Sequence, residues 1–171
     1  MARLEENKGV FIVIESFKIL KQKYPHLKLI ICGDGSATEK LKSDLEAINL
    51  DIEYRGRVSG LELIKAYNEA DVYVLPTTHG EGMATSILEA MAFGLPILSR
   101  PEGGVIDFFD NEKMGKLINS LSPIDYAVII EEWINNPTLV ENISKFNHLY
   151  ACQNFQASKV TEKLEKLINT I

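Results

Sequence analysis

Residues 72–93 read VYVLPTTHGEGMATSILEAMAF, and this stretch decides the fold. The apolar run at 72–76 is typical of a buried strand, and the apolar periodicity over about 84–93 predicts a helix. A loop of glycines and other small residues joins them. Backbone N–H groups at a helix start have no partner within the helix, and the helix dipole adds about half a positive charge. The stretch therefore predicts a strand, a loop and a helix N-terminus suited to an anion.

The same alternation of strand and helix signals extends along the rest of the chain. Strands are predicted at about 27–32, 52–54, 72–75, 96–99 and 116–118. Helices are predicted at about 9–23, 36–48, 59–67, 84–93, 123–135, 138–151 and 157–170, with capping boxes that begin at Ser36 and Ser59. Strands separated by helices form right-handed units of a parallel sheet. The sequence thus predicts an α/β fold, a doubly wound Rossmann-like parallel sheet with helices on both faces, over a single domain at 1–171.

Composition excludes several classes of protein. Of the 171 residues, 46% are hydrophobic and 25% charged, as in globular domains. No apolar run approaches the roughly 18 residues of a membrane span. The net charge of −6 argues against a nucleic-acid partner, which normally needs a basic face. Cys32 and Cys152 lack metal-type spacing and are predicted to be reduced thiols of a cytoplasmic protein.

The loops after the predicted strands are expected to share one edge of the sheet, where such folds bind ligands. They lie at 33–36, 55–59, 76–83 and 100–104. Gly33 begins a G-x-G-x-x-G-like pattern, but Thr38 stands at its last position, which disfavours a dinucleotide enzyme. A tight turn at Gly33 is the favoured interpretation, and a direct ligand contact stays open.

Two pairs of charged residues are candidates for the site. Glu89 follows Thr85 and Ser86 on one helix face, and helical side chains lean toward the N-terminus. Its carboxylate is therefore expected to point toward the loop that holds Glu81, although a solvated helix glutamate is the alternative. Arg3 and Lys8 are either two surface charges or a pair of cations for a diphosphate.

Motifs along nearly the whole chain resemble one family. They are RLEENKG at 3–9, LIICGDG at 29–35, YRGRVS at 54–59, ADVYVLPT at 70–77, E-x7-E at 81–89, EAMAFGLP at 89–96 and GGVID at 103–107. In this order and spacing they resemble the C-terminal, donor-binding domain of glycosyltransferase family 4, the retaining enzymes of the two-domain GT-B fold. The chain looks like the C-terminal half of such an enzyme.

The resemblance implies a role for each candidate residue. Arg3 and Lys8 would neutralise the diphosphate of a nucleoside-diphosphate sugar, and Glu81 would bind hydroxyls of the transferred sugar. Glu89 would bind the ribose hydroxyls. The remaining implied donor contacts come from the strand–helix loops, namely Gly33, Arg57, Val58, Gly82, Met83, Ala84 and Thr85. Arg57 and Val58 would flank the base, and backbone N–H groups of residues 83–85 would hold the distal phosphate and sugar.

The resemblance also implies chemistry and partners. No cofactor and no metal are expected, because the cations and the helix N-terminus replace the metal. The acceptor would be a glycan or a lipid-linked sugar of envelope or capsular polysaccharide synthesis. It would be bound by an N-terminal domain, through which any peripheral contact with the inner face of the membrane would run.

Two departures from the family pattern are important. The family's central first strand precedes the Arg, and only residues 1–2 precede it here, so two strand edges are expected to lack a partner. The acceptor domain is also missing, so the isolated chain is expected to bind donor weakly and to transfer nothing. The alternative function is a non-catalytic nucleotide-binding or regulatory module of the same fold.

Overall fold

The computed structural model describes residues 3–47, 50–80 and 82–168. Within these ranges the strands are β1 (Leu29–Cys32), β2 (Ile52–Gly56), β3 (Tyr73–Leu75), β4 (Ile97–Ser99) and β5 (Gly115–Leu117). The α-helices are α1 (Val10–Lys23), α2 (Thr38–Ala47), α3 (Gly60–Asn68), α4 (Thr85–Ala92), α5 (Pro123–Ile134), α6 (Pro137–Asn154) and α7 (Ala157–Ile168). Short 3-10 helices cover Glu6–Lys8 and Gly103–Asp107. The predicted order of strands and helices is confirmed.

All strand pairs are parallel, but the strands form two sheets. β1 pairs with β2, with Leu29 opposite Ile52 and a register shift between Ile31 and Cys32. β4 lies between β3 and β5 in the second sheet. Among the described residues, β1 pairs with β2 alone and β3 with β4 alone, so one edge of each lacks a partner strand. The predicted domain limits and the truncated first strand stay predictions.

Successive residues of β4 show that helices cover both faces of the larger sheet. Side chains alternate between faces along a strand. Ile97 packs in a buried cluster with side chains of α3, α4 and α6. Leu98 packs on the opposite face with Tyr126 and Trp133 of α5. The predicted doubly wound α/β fold is therefore confirmed, with its parallel sheet in two parts.

The first predicted capping box is wrong, because other groups form that turn. α2 begins at Thr38 rather than near Ser36. The Thr38 hydroxyl donates to Asp34 Oδ1 at 2.9 Å, and the Gly35 N–H donates to the same oxygen at 2.9 Å. Ser59 does lie at the N-cap of α3, but its side chain accepts no capping hydrogen bond there.

Two further features bear on the predictions from composition. Both cysteines are free thiols. Across the described residues, no helix combines the length and the apolar character that crossing a membrane requires. The last residue assigned to the predicted helix at 36–48, Ile48, lies outside the described residues, as do residues 169–170 of the predicted last helix.

Candidate functional site

A short segment at the start of the described chain connects the carboxyl ends of β1 and β3. The N–H of Leu4 donates at 3.0 Å to the carbonyl of Asp34, just beyond β1. The N–H of Thr78, just beyond β3, donates at 2.7 Å to the carbonyl of Asn7. Residues 3–9 therefore lie at the edge of the fold where parallel α/β sheets bind ligands.

Lys8 is buried within this segment, with 6% of its surface exposed. Burial is the main cause that lowers the pKa of its ammonium group; the charge of Glu5 opposes the shift, and the charge of Arg3 adds to it. The next residue, Gly9, has a left-handed backbone at φ 76°. A Cβ atom there would overlap the carbonyl oxygen of Pro76. Glycine thus lets the backbone beside Lys8 pack directly on the loop that follows β3.

Arg3 lies at the same edge but extends into solvent. Its side chain is 76% exposed, and its guanidinium lies 3.5 Å from the carboxylate of Glu5. The structure therefore brings together the two cations that the sequence proposed for a diphosphate, one buried and one exposed.

The loop before α4 packs against the glycine turn that follows β4. The N–H of Gly104 donates at 3.0 Å to the carbonyl of Gly82, and a Cβ atom on Gly104 would lie 2.5 Å from that oxygen. This N–H is therefore used inside the protein. Ala84 occupies the N-cap position of α4, where its methyl group cannot accept a hydrogen bond. The neighbouring Met83 and Thr85 are exposed, whereas Ala84 and Ser86 are buried.

Glu89 lies one turn into α4, and its carboxylate bonds to a side chain of α3. The hydroxyl of Tyr67, on α3, donates to Glu89 Oε2 at 2.9 Å. The same hydroxyl lies 3.3 Å from the carbonyl oxygen of Ser86, three residues before Glu89. The predicted lean of Glu89 toward the helix start stays a prediction. Glu81 lies outside the described residues, so its convergence with Glu89 stays a prediction.

Arg57 and Val58 line an open cavity of about 460 Å³ between β2 and α3. Val58 is buried and Arg57 is exposed at the surface. Arg55 lines the same cavity, where it pairs with both oxygens of Glu53 at 2.9 and 3.0 Å and also bonds to Glu69. These two carboxylates raise the pKa of the Arg55 guanidinium further. The base-flanking role of Arg57 and Val58 stays a prediction.

The backbone of Gly33 forms the tight turn that the sequence favoured. Its N–H donates at 2.7 Å to the carbonyl of Gly56, and its own carbonyl accepts the hydroxyl of Tyr54 at 3.1 Å. Its φ of 145° lies in a region that favours glycine. Both polar backbone groups of Gly33 are thus used inside the protein, and its predicted contact with a ligand stays a prediction.

Sequence reasoning missed the residues that hold the candidate groups in place. Tyr67 was assigned only to the apolar face of its helix, although a buried tyrosine usually needs a partner for its hydroxyl. Gly9 was predicted only as the start of a helix, and Gly104 only as the end of the loop at 100–104. A glycine that directly follows a candidate cation was the available signal, because close backbone packing requires it.

Comparison with known proteins identifies the family. Residues 1–148 match the model of the glycosyl transferases group 1. The chain is 29% identical over 173 residues to the capsular polysaccharide biosynthesis glycosyltransferase CapM of Staphylococcus aureus, covering 99% of this chain and 45% of CapM. It is 33% identical over 126 residues to the amylovoran biosynthesis glycosyltransferase AmsK of Erwinia amylovora, covering 68% of this chain and 30% of AmsK.

A solved structure shows the same fold. The structure of Anabaena Alr3699/HepE in complex with UDP superposes with a TM-score of 0.87 at 19% identity, covering 100% of this chain and 48% of that protein. The chain thus spans less than half the length of these three relatives, and it has the fold of the C-terminal domain of a GT-B glycosyltransferase. Together with the family match, this shows that the chain belongs to the group 1 glycosyltransferases.

Proposed function

We propose that this chain is the donor-binding domain of a retaining, metal-independent glycosyltransferase of family 4. The donor is a nucleoside-diphosphate sugar, and the acceptor is a glycan or a lipid-linked sugar of envelope or capsular polysaccharide synthesis. The names of CapM and AmsK support this class of pathway, and the UDP complex of HepE supports this class of donor.

One observation carries the proposal: cations and a carboxylate share one edge of the fold. Lys8 and Arg3 lie at the carboxyl end of the strands, and Glu89 lies on α4, the helix that begins at the same edge after β3, where its carboxylate accepts the hydroxyl of Tyr67. Cations and helix N–H groups suit a diphosphate, whereas a carboxylate accepts hydrogen bonds from hydroxyl groups. A nucleotide sugar carries both kinds of group.

The proposed chemistry is electrostatic. As the glycosidic bond breaks, negative charge develops on the leaving nucleoside diphosphate, and cations fixed in advance stabilise that charge. The buried ammonium of Lys8 is suited to this, because a charge interaction is stronger where water is excluded. Arg3 adds a second positive charge, and Glu81 is proposed to bind the transferred sugar. The acceptor attacks from the face that the leaving group occupies, so no glutamate acts as a covalent nucleophile.

The rest of the whole protein is part of the same proposal. A preceding domain binds the acceptor and completes the active site, and it carries any contact with the inner face of the membrane. The proposed location is the cytoplasm, where nucleotide sugars are the donors. By itself the chain binds donor weakly and transfers no sugar.

Calorimetric titration with UDP, GDP and ADP tests the binding role. We expect Glu89→Ala to weaken binding of the preferred nucleotide by about tenfold or more, since a hydrogen bond to a charged group contributes roughly 1.5–3 kcal/mol. The control is Glu132→Gln, an exposed carboxylate near the end of α5, which is expected to change nothing. Equal affinities of Glu89→Ala and the parent for all three nucleotides would refute the ribose role.

Two measurements test the finer parts of the proposal. Addition of EDTA is expected to leave the nucleotide affinity unchanged, and a large loss of affinity would contradict metal-independent binding. In the longer protein that includes the preceding domain, NMR of the product is expected to show the anomeric configuration of the donor. An inverted product would refute the retaining assignment.

A further inference from the structure

The hydroxyl of Tyr67 is the feature of the candidate site for which neither the family match nor the sequence analysis gives a role. Tyr67 lies on α3, whereas Glu89 lies on α4. The hydroxyl donates to Glu89 Oε2 at 2.9 Å, a distance expected for a strong bond to a carboxylate. This hydrogen bond joins two helices across 22 positions of the chain.

The tyrosine ring is fixed by its surroundings. Tyr67 is 6% exposed. Its ring stacks on Phe93 with centroids 5.1 Å apart and planes 18° apart, and it lies 6.3 Å from the ring of Tyr73. Because a tyrosine has only two side-chain torsions, this packing also fixes the position of its hydroxyl.

Glu89, by contrast, is exposed at the surface. An unrestrained glutamate side chain populates many rotamers, and fixing it for a ligand costs conformational entropy. A carboxylate has about four acceptor positions on its two oxygens, and Tyr67 uses one of them. The remaining positions are sufficient for two adjacent hydroxyl groups of a ligand.

The burial of Tyr67 also keeps it a donor. Removal from water is the main cause that raises the pKa of its hydroxyl, and the charges of Tyr73 and Glu89 add to the shift. The proton that bridges Tyr67 and Glu89 therefore stays in place over the pH range in which nucleotide sugars are used. A fixed donor beneath an exposed acceptor is a preorganised arrangement, which reduces the entropy cost of binding.

We propose that Tyr67 is a positioning residue that holds the carboxylate of Glu89 in the orientation that receives the two ribose hydroxyls. The proposal rests on the proposed function, in which Glu89 binds ribose. In this proposal, the contact between α3 and α4 makes the site prefer ribonucleotides to nucleotides that lack these hydroxyls.

The test compares two ligands in a set of variants of the 171-residue chain. The ligands are whichever of UDP, GDP and ADP binds most tightly, and the 2′,3′-dideoxy form of the same nucleotide. The measured quantity is the dissociation constant of the dideoxy nucleotide divided by that of the ribonucleotide, which we call the ribose ratio. We expect Tyr67→Phe to lower the ribose ratio about fivefold, because a freely rotating glutamate must be ordered by the ligand. Affinity for the dideoxy nucleotide is expected to stay unchanged.

A double-mutant cycle separates positioning from a general structural effect. Glu89→Ala is expected to bring the ribose ratio to about one, so that the two nucleotides bind equally. Tyr67→Phe is expected to have no further effect on the ratio when it is combined with Glu89→Ala. Glu89→Asp keeps the charge but withdraws the carboxylate from Tyr67, so it too is expected to lower the ratio. The matched control is Tyr73→Phe, which removes the hydroxyl of the tyrosine ring that lies 6.3 Å from Tyr67, and it is expected to keep the parent ratio.

The possible failures can be told apart. If the parent chain does not distinguish the two nucleotides, or if Glu89→Ala keeps the ratio, the proposed function itself fails. If Glu89→Ala brings the ribose ratio to about one while Tyr67→Phe and Glu89→Asp both keep the parent ratio, only the positioning role is overturned. Equal weakening of both nucleotides by Tyr67→Phe also overturns it, since that outcome indicates a loss of structure. Should Tyr67→Phe not fold, as judged by circular dichroism, Glu89→Asp decides by itself.

Discussion

Gly9 is the position where one added methyl group tests how the buried cation is held. In the substitution Gly9→Ala, the new side chain would sit on a left-handed backbone at φ 76°. Its Cβ atom would also overlap the carbonyl oxygen of Pro76 and lie 2.9 Å from the Pro76 Cβ. Both neighbours belong to the loop after β3 and are not the far end of a flexible side chain.

Two costs add up at this position. An alanine in the left-handed region costs roughly 1–2 kcal/mol. Forcing extra atoms into a packed contact adds about 1–3 kcal/mol. We therefore expect Gly9→Ala to lower the free energy of unfolding by about 2–5 kcal/mol. For a chain of this size the melting temperature falls by roughly 2–4 °C per kcal/mol, so a loss of about 4–20 °C is expected.

Gly60→Ala is the matched control, because Gly60 has φ 56° but no atom within 4 Å of the added Cβ. It carries the backbone cost alone, roughly 1–2 kcal/mol. Urea denaturation followed by circular dichroism measures both variants, and the excess loss in Gly9→Ala reports the contact with Pro76. Equal losses in the two variants would refute the reasoning, since they would show that the loop moves aside without cost.

Four further predictions concern the site and the activity of the chain. Burial lowers the pKa of Lys8 below 10.5, so nucleotide affinity is expected to fall as the pH rises through that lowered pKa. Lys8→Met is expected to bind the nucleotide about tenfold or more weakly than the parent. In the same calorimetric pH series, the affinity of Lys8→Met is expected not to show this fall. The native state also releases this proton at lower pH than the unfolded chain, so the contribution of Lys8 to the unfolding free energy should rise as the pH increases from its lowered pKa to about 10.5. The difference in unfolding free energy between the parent and Lys8→Met, measured by urea titration at each pH, is expected to show this rise, whereas the raised pKa values of the buried tyrosines affect both proteins alike. Gly104→Ala is expected to lose about 1–3 kcal/mol of stability and to weaken nucleotide binding, because its Cβ would lie 2.5 Å from the Gly82 oxygen. The control is Gly80→Ala, whose Cβ would meet no atom within 4 Å. This control should match the parent in both thermal melting and calorimetry. The isolated chain is expected to transfer no sugar from a UDP-sugar to any acceptor, and product detected by mass spectrometry would contradict this.

The fold could be predicted from the sequence because its signals are local. The run at 72–76 alternates with helical periodicity on either side, and each strand found in the structure lies within or beside its predicted range. The turn that begins α2 was predicted wrongly, because Asp34 and Thr38 bond to each other and take the place of Ser36. Several residues of similar hydrogen-bonding capacity occur there, and only the path of the chain decides which of them meet.

The candidate site was predictable in part. Charges near the start of the first helix indicated Arg3 and Lys8, whereas the geometry of a helix that follows a strand indicated Glu89. The supporting contacts were not predictable, since each joins residues that are distant in the chain. The bond between Asn7 and Thr78 spans 71 positions, and no local pattern reports it.

Tyr67 and Glu89 show why sequence periodicity does not reveal such a contact, although the contact affects ligand binding. Periodicity placed Tyr67 on the buried face of α3, which is correct for its ring. The hydroxyl at the far end of that ring then reaches a different helix, where it bonds to a carboxylate that is exposed to solvent. A side chain that is apolar along its body and polar at its tip can therefore belong to the core and to the site together. Repacking of the ring, through a change at Phe93 for example, should alter the orientation of Glu89 although Phe93 itself is not a donor or an acceptor. Core substitutions near α3 are thus expected to affect nucleotide selection as well as stability.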